Sequence, residues 1–82
     1  MNKRKLLQQI LNNQKNVRFN DFVCIVEAFG FYNARTNGSH YIYKNTFVNE
    51  VINIQNVKGE AKPYQIKQFF SIVEKCNLIM ED

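Results

Sequence analysis

Asn37-Gly38 interrupts a run of aromatic and β-branched residues, and two residues between two extended segments leave one option, an antiparallel hairpin. Before the turn, Phe31 to Thr36 has no helical period and reads as a strand. After it, Ser39 to Lys44 reads as the return strand, with Tyr41 and Tyr43 on one face and His40, Ile42 and Lys44 on the other. A loop containing Asn45, Thr46 and Asn49 then leads to "EVINIQNV". There Ile52 and Ile54 alternate with Asn53 and Gln55, as a half-buried third strand requires.

Helical patterns flank these strands. Phe22, Ile25, Val26 and Phe29 recur at i, i+3, i+4 and i+7, with Asn20 as the expected N-cap, Asp21 favoured in the first turn and Gly30 as the stop. Pro63 opens a last helix whose stripe is Ile66, Phe69, Phe70, Val73 and Cys76, closed by Asn77. Leu6, Leu7, Ile10 and Leu11 predict a further helix behind the cluster Lys3-Arg4-Lys5. The expectation is an α+β domain, a three-stranded antiparallel sheet with helices on one face. At 82 residues there is room for one core, so residues 1–82 form a single domain. Residues 1–16 read as an N-terminal helical addition and 17–78 as the core.

Cys24 and Cys76 lie far apart within apolar helical patterns, with no C-x-x-C, so they read as buried reduced thiols rather than a zinc or redox site. The first residues lack the long apolar run of a signal peptide, and no segment approaches eighteen apolar residues. The expected setting is cytoplasmic. No metal and no cofactor are expected. Gly-rich phosphate loops, H-E-x-x-H and G-x-S-x-G are all missing.

Charge narrows the partners. Eleven Lys and Arg against seven Asp and Glu give +4, and no acid occurs between Glu27 and Glu50, a window that holds Arg35, His40 and Lys44. Lys58 and Lys62 follow. One sign of charge around a histidine suits a polyanion, although a solvated basic face would look the same. Histidine is the side chain whose ordinary pKa, about 6.5, lies near neutrality, and His40 is the single one here. The turn at Gly38-Ser39 leaves backbone uncluttered beside it.

RNA is the substrate for which one histidine is enough, because its 2′-hydroxyl is a built-in nucleophile. The protein then supplies proton transfer, typically worth about 10² to 10⁴-fold, and cations for the charge on the non-bridging oxygens. On this reading His40 is the general acid or base. Gly38, Ser39, Arg35, Lys44, Lys58 and Lys62 are the candidate RNA contacts. Tyr32 and Tyr41 could stack bases, while Tyr43 reads as packing. A non-catalytic RNA-binding module, or a protein whose basic face docks an acidic partner, are the other readings.

The order of these elements, with "EAFGF", "R-x-x-GSHYIYK" and "KPYQIKQFFSIVEKCNL", resembles the HicA family of toxins from about Phe19 to Leu78. The resemblance implies a ribosome-independent mRNA interferase of a toxin–antitoxin system. It also implies an α-β-β-β-α fold similar to a double-stranded RNA-binding domain, and a HicB-type antitoxin that covers the active site. By it, His40 corresponds to the family's catalytic histidine. Two features depart from the family pattern, the helix around Leu6 to Leu11 and "KNTFVNE" in place of a proline-bearing stretch. That helix could pack on the core, extend the antitoxin contact or bring Lys3-Arg4-Lys5 to RNA.

Overall fold

Three helices and three strands follow one another in the computed structural model, which describes residues 2–81. They are α1 (Lys3–Asn12), α2 (Phe19–Ala28), β1 (Phe31–Asn37), β2 (His40–Asn45), β3 (Val51–Gln55) and α3 (Pro63–Lys75). The strands form one antiparallel sheet in the order β1-β2-β3, so the α+β expectation holds.

The helices cover one face of the sheet. Phe31, Tyr43, Ile52 and Ile54 point into the core and meet Phe22, Ile25, Val26, Ile66 and Phe69, all buried. Phe69 sits at its centre, edge-on to Phe22, Phe29, Phe31 and Phe70 with ring centroids 5.2–5.6 Å apart. The N-terminal helix joins the same core through Leu6 and Ile10, 6% and 2% exposed, which settles that α1 packs on the domain.

Several boundaries differ from the sequence expectation. Asn20 is not the N-cap of α2: the helix begins at Phe19, and Arg18 caps it without a side-chain bond. The reason is burial, because Phe19 and Val17 both enter the core and pull the helix start forward. Asn45 ends β2 rather than opening a loop. The third strand is also shorter than "EVINIQNV", spanning Val51–Gln55. Cys24 and Cys76 are half-buried, not buried, and both are free thiols.

The helix ends follow the predicted chemistry. Gly30 takes φ 93° after α2, and its N–H donates to Glu27 O at 3.0 Å. Asn77 takes φ 52° after α3, with its N–H on Glu74 O and the Leu78 N–H on Val73 O, a double closure of the last turn. The outer edge of β3 is also closed. Buried Gln65 accepts from Gln55 N–H at 2.9 Å and donates to Asn53 O at 3.2 Å, so its amide takes the place of a further strand. No helix among the described residues is long and apolar enough to cross a membrane.

Candidate nucleic-acid interface

The face of the sheet away from the helices is open. Its residues follow from the pairing register, which runs Asn37–His40–Gln55, Arg35–Ile42–Asn53 and Tyr32–Lys44–Val51 across the three strands. Simple alternation from Phe31 would turn Arg35 toward the helices. Between Asn33 and Arg35 the register shifts, so Ala34 is an extra residue on β1 and the strand beyond it is reversed. This β-bulge brings Arg35 onto the face that carries His40.

The hairpin also differs in detail from the expected Asn37-Gly38 pair. Asn37 is the last strand residue, paired with His40, and the two turn residues are Gly38 and Ser39. Gly38 alone of these has positive φ, 63°, which matches the turn type that asks for glycine at its first central position. Among the described residues, no atom beyond its two chain neighbours lies within 4 Å of where a Cβ on Gly38 would stand, so approach to the turn is open. The Ser39 carbonyl accepts from Asn56 N–H at 2.9 Å, tying the turn to the chain after β3.

His40, Arg35, Thr36, Asn37, Ile42 and Asn53 line a shallow groove of about 610 Å³. All are exposed except Ile42, the half-buried floor. Residues diagonal to one another on neighbouring strands are about 7–8 Å apart, so Arg35 and Asn53 each lie within a side chain's reach of His40. Among the described residues no carboxylate lines the groove. A separate recess of about 300 Å³ between α1 and the start of α2 holds Arg18 and Asp21 and shares no residue with it.

Of the cations expected at the site, Arg35 alone stands in the groove. Lys44 shares the open face, but four residues along β2 from His40 is about 13 Å. Lys58 sits at the tip of a tight turn closed by two bonds of 3.0 Å between Val57 and Glu60. Its φ of 54° is a left-handed conformation that costs a non-glycine residue about 1 kcal/mol. That turn leans on the start of α2, where Phe19 N–H donates to Gly59 O at 2.8 Å. Lys62 precedes α3 with its ammonium 5.8 Å from the Tyr64 ring centre.

The tyrosines divide between the two faces. Tyr41 packs its ring on Phe19 at 4.8 Å, beneath the sheet, and so offers no stacking platform on the open face. Tyr43 is buried. Burial chiefly raises the pKa of its hydroxyl, the Asn33 side chain pulls the other way, and Glu27 and Tyr41 add to the rise. Tyr32 remains on the open face, half exposed, beside Lys44.

Asn53 and the bulge escaped the sequence reading. Asn53 was legible as a polar residue on the outer face of a strand, but nothing in the sequence marks its place across from Ile42. Ala34 carries no turn or bulge signature. Among the described residues no cluster of three or more His, Cys, Asp or Glu forms. Comparison of the chain with family models, with curated proteins and with solved structures gave no match.

Proposed function

We propose that this protein is a metal-independent endoribonuclease, the toxin of a HicA-type toxin–antitoxin system, acting in the cytoplasm on mRNA. The observation that carries the reading is the β-bulge at Ala34, which sets Arg35 in the same open groove as His40, where no carboxylate stands among the described residues. The sheet with its helices on one side is taken as the double-stranded-RNA-binding-domain-like fold of that family.

In the reaction the RNA 2′-oxygen attacks the adjacent phosphorus and the bond to the 5′-oxygen breaks, leaving a 2′,3′-cyclic phosphate and a 5′-hydroxyl. His40 takes the proton from the nucleophile or gives one to the leaving oxygen, and water serves the other end. Arg35 meets the charge that builds on the phosphoryl oxygens. DNA lacks the nucleophile and is spared. A HicB-type antitoxin would restrain the toxin by covering the groove.

One observation favours the second reading, a non-catalytic RNA-binding module. Among the described residues no carboxylate or other group orients the His40 ring, and its cross-strand neighbours are Asn37 and Gln55. The test is induced expression of wild type and His40→Ala, with growth and mRNA integrity followed in each. Arrest and mRNA loss with wild type alone support the nuclease. RNA binding by both proteins with no cleavage by either would replace it with the binding module.

A further inference from the structure

Ile42 lies at the centre of the open face, with Arg35 directly across on β1 and Asn53 directly across on β3. The three make a row about 10 Å wide, two strand spacings, which is the span of one nucleotide from phosphate to base edge. The middle of the row is a half-buried aliphatic floor, and the ends are a guanidinium and an amide.

These polar ends are unspent. Among the described residues the side chains of Arg35, Asn37, His40 and Asn53 make no hydrogen bond or ion pair within the chain. Asn53 is held in place by its backbone, whose carbonyl accepts from buried Gln65, so its amide faces outward on a fixed strand. An asparagine amide offers one donor and one acceptor side by side, the pattern that reads the edge of a base. An arginine fork suits a phosphate. Unstacked bases of single strands are the ones whose edges are accessible to such groups.

We infer that the row Arg35–Ile42–Asn53 is a single-nucleotide subsite. The base lies over Ile42 with its edge on the Asn53 amide, and its phosphate rests on Arg35 next to His40. Asn53 is thus the residue that sets base preference, while Arg35 binds every sequence alike. The inference rests on RNA being the ligand of this face, as proposed above.

The test uses short 2′-O-methyl oligonucleotides of each single base, which lack the nucleophile and so report binding without cleavage. Wild type, Asn53→Ala, Asn53→Asp and Arg35→Ala are titrated at several salt concentrations, each checked for native circular dichroism. Wild type is expected to rank the four bases unequally. Asn53→Ala flattens the ranking and weakens the preferred oligonucleotide roughly tenfold, and Asn53→Asp, with its donor gone, reorders it. Arg35→Ala weakens all four by a similar factor and lowers the salt slope by about one.

An unchanged ranking in Asn53→Ala overturns the subsite. If wild type still cleaves unmodified RNA through His40 in that case, the nuclease reading survives alone. The expected ranking changes without any cleavage would keep the subsite and overturn the nuclease. Failure of wild type to bind any oligonucleotide overturns the subsite, and overturns the nuclease reading as well where unmodified RNA also stays intact.

Discussion

Arg35 on β1 stands directly across from Ile42 on β2, and it does so because one residue, Ala34, is bulged out of the strand before it. Bulges change which way a side chain points at little cost to the rest of a sheet, and here the change joins a cation to the only histidine. The other cation among the strand positions of that face is Lys44, about 13 Å along β2 from His40.

That relationship can be tested by length rather than by chemistry. Deleting Ala34 restores regular alternation and leaves Arg35 opposite Ile42, so the deletion variant should bind RNA like wild type. A second alanine inserted after Ala34, with the one-residue bulge kept, places Arg35 opposite Tyr41 on the helix-covered face. Binding should then fall roughly tenfold, the same loss as Arg35→Ala, since one charge-assisted contact is removed. Filter binding of both variants decides the matter. Equal loss in the deletion and the insertion would show that the bulge does not aim Arg35.

What could be read from the sequence was whatever repeats. The stripe Phe22, Ile25, Val26, Phe29 and the alternation of Ile52 and Ile54 both met the core as expected, because burial imposes a period on sequence. Single events left no period. The bulge at Ala34 breaks alternation without a glycine or proline to announce it. The turn pair moved to Gly38-Ser39 because cross-strand pairing of Asn37 with His40 decides the turn, and "TNGS" admits either choice. Gln65 lies outside the apolar stripe read for the last helix, yet it is buried and closes the edge of β3. His40 was legible as the single histidine and Arg35 as a candidate cation; that the two share a groove was not, since it depends on the bulge, and the place of Asn53 depends on the register.

Asn45 illustrates the same limit and carries the next prediction. Its buried side chain donates to Phe29 O at 3.1 Å and accepts from the N–H groups of Phe47 at 2.7 Å and Val48 at 3.1 Å. It therefore joins the end of α2 to the loop between β2 and β3. Replacing it with alanine strands a buried carbonyl and two partly buried N–H groups. Asn45→Ala should lose about 3 kcal/mol in urea unfolding. Thr46→Ala, at an exposed neighbour whose side chain makes no hydrogen bond among the described residues, should stay within about 0.5 kcal/mol. A loss below about 1 kcal/mol at Asn45 would mean the loop does not depend on this side chain.

Tyr43 makes stability fall in alkali. Burial above all holds its hydroxyl protonated beyond the ordinary value of 10.0, whereas the unfolded chain releases that proton near the ordinary value. Below pH 10 both states keep the proton, so the contribution is fully present. As pH rises past 10 the unfolded state sheds a proton that the folded state retains, and stability declines until the folded hydroxyl ionises as well. Tyr43→Phe removes this ionisation but shares every lysine titration with wild type. Near neutral pH the variant should differ by about 1 kcal/mol at most, from the lost contact with Asn33. Between about pH 9.5 and 11, urea midpoints of wild type should fall more steeply than those of the variant. Parallel curves across that range would show that Tyr43 ionises as readily in the folded chain as in the unfolded one.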